Sequence, residues 1–454
     1  MRVHFIAIGG SAMHNLAIAL SRKGYTVTGS DDEIFEPALS RLKNAGILPE
    51  QVGWFPDKIT DDLDAVILGM HAKEDNPELA KARETGIRIY SYPEYLYEQS
   101  KEKTRIVIGG SHGKTTITAM ILHVMKDLGI DTDFMVGAQL EGFDVMVRLS
   151  NQAKYMVFEG DEYLTSPIDR RPKFHLYRPH IGLISGIAWD HINVFPTFEN
   201  YMDQFRIFAE MIPEDGKLIY CNDDPHVKKL IKNLYGKYIK ISYGLPDYKI
   251  RNGISEVMVG DKVYAMQVFG RHNMLNMEGA RKVLETIGVC ASEFYTSISK
   301  FKGASKRLEL IHSNEKINVY KDFAHSPSKL KATIEAVKNQ FPERHLVACM
   351  ELHTFSSLNT SFLKEYKGCM DLADVAVVYY SKHALELKRL PYFDQKEVTN
   401  SFGREDIKVF NDKNEMTQFL LGYAKPETNF LMMSSGDYDG MKLDELSRSI
   451  IETE

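Results

Sequence analysis

Residues 105–116 read Arg-Ile-Val-Ile-Gly-Gly-Ser-His-Gly-Lys-Thr-Thr, an apolar strand pattern that breaks at a glycine pair and resumes as a helical run over 117–128. A strand passing through glycine straight into a helix is the working unit of a parallel α/β sheet. It aims the helix's unsatisfied N–H groups and positive dipole end at the turn, where an anion can sit. Glycine lets the backbone approach that anion, Lys114 has the reach for outer phosphates, and the hydroxyl of Thr115 or Thr116 can ligate Mg²⁺. The full phosphate-loop pattern wants a glycine five positions before Gly113, where this chain has Ile108. The loop is therefore a shortened one, anchored on Gly110. Gly110, Ser111, His112, Gly113, Lys114, Thr115 and Thr116 are the candidate nucleotide-binding residues, and the strand–loop–helix context sets them apart from a chance Gly-Lys-Thr.

At 454 residues the chain exceeds one compact core, and its length suggests about three domains. Short apolar runs alternate with helical spacing throughout, the pattern of parallel sheets covered on both faces. Strands are expected at 3–8, 25–29, 65–69 and 87–91, then at 106–108, 155–158, 181–185 and 217–220, and finally at 317–320, 346–350, 375–379 and 430–433. Runs at 257–259 and 263–268 flank Gly260-Asp261-Lys262, a plausible hairpin turn. The charged stretch 98–105 reads as a linker. The expected fold class is α/β with three domains in series, each with a mostly parallel sheet: a Rossmann-like domain over 1–100, a phosphate-loop domain over 101–299 and a second Rossmann-like domain over 300–454. Net charge of −6, from 56 basic and 62 acidic residues, argues against a nucleic-acid partner. No apolar run approaches the roughly 18 residues of a membrane span, and the N-terminus lacks a signal-peptide pattern. Cys221, Cys290, Cys349 and Cys369 form no C-x-x-C pair, so reduced core thiols are expected rather than a zinc site or disulfides. The chain reads as cytoplasmic.

A second glycine turn, Ile8-Gly9-Gly10-Ser11-Ala12-Met13, joins the first strand to a helix expected over 12–23. Asp31 follows Gly9 by 22 positions, after Ser30 at the end of the second strand, where an acidic residue can hold a ribose hydroxyl. The dinucleotide fingerprint G-x-G-x-x-G is not met, which disfavours an NAD-dependent oxidoreductase. A plain strand–helix connection competes with a diphosphate site here. Glu159, with Asp161 and Glu162 beside it, ends a strand that follows the phosphate loop. Ligands of open sheets bind at that edge, so Glu159 is a candidate Mg²⁺ ligand rather than part of a solvated acidic loop.

The two glycine turns belong to a longer series of motifs. IAIGGSAM (6–13), GGSHGKTT (109–116), FEGDEY (158–163), WDHINVF (189–195), GRHNMLN (270–276), GASKRLE (303–309) and YKDFAHSP (320–327) stand in the order of the Mur ligases of bacterial cell-wall synthesis. The chain resembles that family over essentially its whole length. The resemblance implies an ATP-dependent ligase that phosphorylates a carboxylate and lets an amine displace the phosphate. It implies UDP-N-acetylmuramate on Gly9, Gly10, Ser11, Ala12, Met13, Ser30, Asp31 and His71. It implies ATP on the phosphate loop, with Asn276 at the adenine edge, Arg307 on the phosphates and Asp322 on ribose or metal. Mg²⁺ falls to Thr115, Glu159 and His191, the last as ligand of a second ion. The implied catalytic set is Lys114, Glu159, His191, Arg307 and Asp322, with His325 and His353 toward the amine substrate.

Residues 166–184, SPIDRRPKFHLYRPHIGLI, are similar to the muropeptide-recycling branch, which joins L-Ala-γ-D-Glu-meso-diaminopimelate to UDP-N-acetylmuramate. A ligase adding L-alanine alone is the near alternative, and a non-catalytic sensor of UDP-sugar the alternative from another class. Two departures stand out. Arg206 and no lysine occurs in 201–208, so the carbamylated lysine of several members is not expected. His353 and serines in 351–357 replace the arginine and asparagine usual in recycling ligases, which leaves the added peptide open. A monomer or weak homodimer is expected, with no nucleic-acid or membrane partner and a third domain that swings about Gly303.

Overall fold

The computed structural model describes residues 1–70, 72–140, 142–166, 169–190, 194–304 and 307–452. Its first sheet holds β1 (Arg2–Ile6), β2 (Thr26–Ser30), β3 (Ala65–Leu68) and β4 (Ile89–Ser91) in the order β2-β1-β3-β4, all parallel. β1 and β3 are near-continuous apolar runs, as strands covered on both faces must be. The helix Ser11–Arg22 covers them with Met13, Leu16, Ala17 and Leu20, one face at helical spacing.

The second sheet contains β5 (Thr104–Gly109), β6 (Thr132–Met135), β7 (Val147–Arg148), β8 (Tyr155–Glu159), β9 (Ile181–Ile184), β10 (Lys217–Cys221) and β11 (Ile239–Tyr243). Its order is β11-β10-β9-β5-β8-β6-β7, with only β7 antiparallel. From β5 the chain runs out to β6 and β7, returns as β8 between β5 and β6, then crosses to β9 on the other side of β5. That reversal makes the carboxyl end of β5 the switch point, where an open sheet leaves a crevice.

β12 (Tyr248–Arg251), β13 (Ile254–Val259) and β14 (Lys262–Met266) form the small antiparallel addition, and Val259 pairs with Lys262 across Gly260-Asp261. The last sheet holds β15 (Glu309–Ser313), β16 (Ile317–Asp322), β17 (His345–Leu352), β18 (Val375–Tyr380), β19 (Lys408–Phe410) and β20 (Thr428–Met433). Its order is β15-β16-β20-β17-β18-β19, parallel except for β15 at one edge. The fold is thus α/β with mostly parallel sheets, arranged in three domains.

By contact density the chain forms two compact units. One comprises Met1–Ile187, Pro196–Tyr243 and Gly279–Ala291; the other comprises Ala188–Phe195, Gly244–Glu278 and Ser292–Glu454. The first two sheets share a unit, and the expected linker is part of the reason. The helix Tyr92–Ser100 and β5 leave only 101–103 between them. Arg105 lies inside β5, and its buried guanidinium donates to the carbonyls of Ser100 and Lys101 (both 3.0 Å), Tyr177 (3.0 Å) and Arg178 (2.9 Å). The charges of 98–105 mislead because Arg105 is spent on carbonyls, not solvent. Among the described residues no helix is long and apolar enough to cross a membrane.

Candidate active site

The loop between β5 and the helix Lys114–Asp127 is pinned to the end of β9. Ser111 N–H donates to Gly186 O (3.0 Å), Ser185 N–H to Gly109 O (3.1 Å), and the Ser185 hydroxyl to His112 O. Gly110 adopts φ +137°, and a Cβ there would fall 2.0 Å from Ser185 Oγ. Gly113 caps the helix at φ +80°. A side chain would clash at Gly110 and strain the backbone at Gly113, which is why the shortened loop keeps these two glycines. Ser185 and Gly186 escaped the sequence reading; their only signal is a Ser-Gly pair closing an apolar strand.

Lys114 Nζ donates to Gly110 O at 2.7 Å and to Glu162 Oε2 at 2.6 Å. Burial works against its charge, but Glu162 and then Asp161 outweigh it and hold the ammonium above the ordinary lysine range. Thr115 Oγ1 donates to Glu159 Oε1 (2.6 Å), whose other oxygen accepts Gly137 N–H (2.8 Å). Asp161 pairs with Lys173 at 2.7 Å; despite burial, Lys173 and Lys114 keep its carboxyl far below the usual range. The acidic motif therefore splits into three tasks: Glu159 on Thr115, Asp161 on Lys173, Glu162 on Lys114. Thr116 is buried on the same first turn. A threonine hydroxyl and a carboxylate at the carboxyl edge of the sheet are hard oxygen donors. They fit Mg²⁺, which keeps several waters and shares phosphate oxygens rather than demanding a full protein cage. Among the described residues no cluster of three or more His, Cys, Asp or Glu is suited to hold a metal. His191 lies outside the described residues.

At the N-terminal turn, Asp31 Oδ2 accepts Gly9 N–H at 2.7 Å. A Cβ on Gly9 would meet that oxygen at 2.9 Å. Burial pushes the Asp31 carboxyl up to about 6, against the pull of the Gly9 bond. Asp31 thus braces the turn itself. Ser30 is buried, and its carbonyl accepts N–H bonds from Ala7 (2.9 Å) and Ile8 (3.1 Å). Gly10 begins the helix, Ser11 and Ala12 are exposed on its first turn, and the Met13 side chain faces the core. His71 lies outside the described residues.

The second unit brings Arg307 and Asp322 together. Asp322 ends β16, and its two oxygens accept N–H bonds from Leu308 (2.6 Å) and Ala324 (2.7 Å). Leu308 sits at φ +48°, so Asp322 holds a strained turn in place. Burial raises its carboxyl pKa, opposed chiefly by Arg307, whose guanidinium lies 5.0 Å over the Phe323 ring. His325 Nδ1 lies 2.7 Å from Phe323 O. Burial, then Lys329, pulls that imidazole down to about 3, so the ring is uncharged near neutral pH. His353 Nδ1 stands 3.5 Å from Glu351 Oε1. Glu351 is buried at the end of β17, and its Oε2 accepts from Tyr438 N–H (2.9 Å) and the Ser434 hydroxyl. Neighbouring strands β16, β20 and β17 thereby gather Asp322, Ser434, Glu351 and His353 at one edge. Ser434 and the role of Glu351 were not anticipated. Asn276 lies within the helix Arg271–Glu285, which follows Gly270 at φ +91°. On the same helix Asn273 donates its side-chain amide to Phe269 O (2.8 Å).

A shortened phosphate loop at a switch point, a carboxylate at the end of the next strand and a Rossmann-like sheet on either side in sequence define a three-domain α/β enzyme of phosphoryl transfer. The comparisons carry this further: the chain belongs to the Mur ligase family. The family's catalytic domain matches residues 2–104, its middle domain 108–284 and its glutamate ligase domain 306–436. The UDP-N-acetylmuramate–L-alanine ligase of Clostridium kluyveri is 31% identical over 455 residues, covering 96% of each chain. Among solved structures, the UDP-N-acetylmuramate–alanine ligase of Thermotoga maritima superposes with TM-score 0.70 at 22% identity, over 100% of this chain and 98% of its own. The murein peptide ligase of Psychrobacter arcticus does so with TM-score 0.66 at 24% identity, over 100% and 99%. The chain is an ATP-dependent amide-bond ligase.

Proposed function

We propose that this ligase joins UDP-N-acetylmuramate to the murein tripeptide L-Ala-γ-D-Glu-meso-diaminopimelate, releasing ADP and phosphate. In this reading 1–100 holds the UDP-sugar, 101–299 the ATP and 300–454 the amine. The observation that carries the chemistry is Lys114, charged and clamped between its own loop and Glu162, beside the Thr115–Glu159 pair. A carboxylate is a poor acyl donor because oxide does not leave. Transfer of the γ-phosphoryl group to the muramate carboxylate converts that oxygen into phosphate, and the amine then attacks through a tetrahedral intermediate. Lys114 and the loop N–H groups offset charge on the phosphoryl oxygens, and Arg307 adds a planar fork of donors. Thr115 and Glu159 would hold Mg²⁺, with His191 on a second ion; bound Mg²⁺ supplies further neutralisation of the phosphates. Asn276 would read the adenine edge and Asp322 the ribose. His325, donating through Nδ1 to Phe323 O, offers Nε2 as an acceptor to the incoming amine.

The choice of amine leans on 166–184, and here the geometry qualifies the reading. Asp169 pairs with Arg171 (2.6 Å), Lys173 with Asp161, and Tyr177 stacks on Phe158 with centroids 4.2 Å apart. Lys173 and Tyr177 thus brace β8 and its carboxyl end, while the Asp169–Arg171 pair is local to its loop. L-Alanine remains the second reading, favoured by the name of the Clostridium relative. An ADP-release assay with UDP-N-acetylmuramate and each amine separates them: product from L-alanine and none from tripeptide refutes the first. No ADP release with either would refute both and return the sensor.

A further inference from the structure

No motif contains Tyr201, yet its hydroxyl stands at the centre of the loop's hydrogen bonding. It lies on the helix Phe198–Glu210, where Tyr201, Phe205 and Phe208 form one buried face at helical spacing. The face packs as aromatic rings, Tyr201 edge-on to Phe205 with centroids 5.3 Å apart. Packing alone asks only for phenylalanine, as at 205 and 208. The hydroxyl is the departure, and two of its partners, Ser111 and Glu162, serve the phosphate loop. Ser111 Oγ lies 2.9 Å away, and the hydroxyl donates to Glu162 Oε1 at 3.0 Å. The other Glu162 oxygen accepts Lys114 Nζ at 2.6 Å. Glu162 is itself buried, so its carboxylate is fixed on both oxygens. A lysine carries a mobile point charge on a flexible four-carbon stem. A carboxylate locked in place is what gives that charge a single address.

We propose that Tyr201 is a positioning residue for phosphoryl transfer. By orienting Glu162 it sets where the Lys114 ammonium stands, and through Ser111 it ties that address to the loop. The inference rests on the reading that Lys114 serves the phosphates. A group that acts on placement affects the transition state more than the ground state, since misplacement of about 1 Å can cost on the order of a hundredfold in rate.

The test is Tyr201→Phe, which keeps the ring and removes the hydroxyl. In the full-length ligase, kcat should fall about tenfold or more, while the KM for ATP and the Kd for ADP by calorimetry stay within about threefold. Glu162→Gln should show the same split, and the double variant should be no slower than Glu162→Gln alone, because both act through one ammonium. Unchanged kcat in Tyr201→Phe overturns the proposal, and so does multiplication of the two effects. Loss of ADP affinity and thermal stability in proportion to kcat also overturns it, since that is the signature of a packing role. Should Tyr201→Phe not fold, unchanged kcat in Glu162→Gln overturns it equally. Failure of the ligase reading looks different: the unaltered chain would release no ADP.

Discussion

Asp31 and Lys114 are both charged side chains turned inward at glycine loops, and their surroundings treat them oppositely. Lys114 meets two carboxylates that favour its charge, whereas Asp31 meets burial and the neighbouring Asp32, which disfavour its own. The Asp31 carboxyl near 6 has a consequence for stability. With a folded pKa above the unfolded one, the folded chain binds the extra proton between about pH 4 and 6. Stability from this group is therefore full below about 4 and is lost as pH rises through 6. Asp31→Asn keeps an acceptor for Gly9 N–H and removes the titration. In urea unfolding at a series of pH values, the unaltered chain should lose stability between pH 4 and 6 relative to this variant, and the gap should stay constant above 7. For Lys114, replacement by methionine removes a donor to the phosphoryl oxygens, and kcat should fall by about 10²–10³, the range for one lost charge-stabilising donor. Melting shifts induced by UDP-sugar should survive that change, since the N-terminal turn does not involve Lys114.

At the level of elements, the central strands were legible and so were the edge strands β2, β4 and β14, but most of the other margins were not. β1, β3, β5, β8, β9 and β17 to β18 are buried on both faces, which forces near-continuous apolar runs that sequence displays directly. β6, β7, β11, β12, β15 and β19 lie at or next to sheet edges, are short or half-polar, and carry no such signal. The site divides the same way. The Gly-Lys-Thr loop is contiguous and readable, whereas Ser185 bonds a residue 73 positions away and Tyr201 one 90 positions away. Arg105 shows the cost of reading charge as exposure. Its replacement by alanine strands several carbonyls at the start of β5 and leaves a cavity beside Tyr177. Buried hydrogen bonds lost from one side cost about 1–3 kcal/mol each, non-additively, so Arg105→Ala should lower stability by about 3 kcal/mol in urea unfolding. Lysine at this position should recover little, because it lacks the guanidinium's fork of donors.

At the scale of the whole molecule, the repeated strand–helix series announces three sheets, while contact density groups the chain as two units. The residues proposed for one reaction are shared between those units: Lys114, Thr115 and Glu159 in the first, Asn276, Arg307 and Asp322 in the second. In the proposed reaction Arg307 and Lys114 act on the same phosphoryl group, so closure of the third domain on bound ligands is expected. Gly303 precedes Arg307 with φ +121°, a backbone conformation that proline, fixed near −65°, does not adopt. Adding a non-hydrolysable ATP analogue together with UDP-N-acetylmuramate should therefore reduce the radius of gyration in small-angle scattering, and neither ligand alone should match the pair. Gly303→Pro should blunt that compaction and lower kcat, with ADP affinity falling less than kcat, because the phosphate loop belongs to the other unit and only the proposed ribose contact of Asp322 lies past Gly303. A scattering curve indifferent to both ligands would mean that closure about Gly303 plays no part, and that Arg307 acts within the second unit, over Phe323 and beside Asp322.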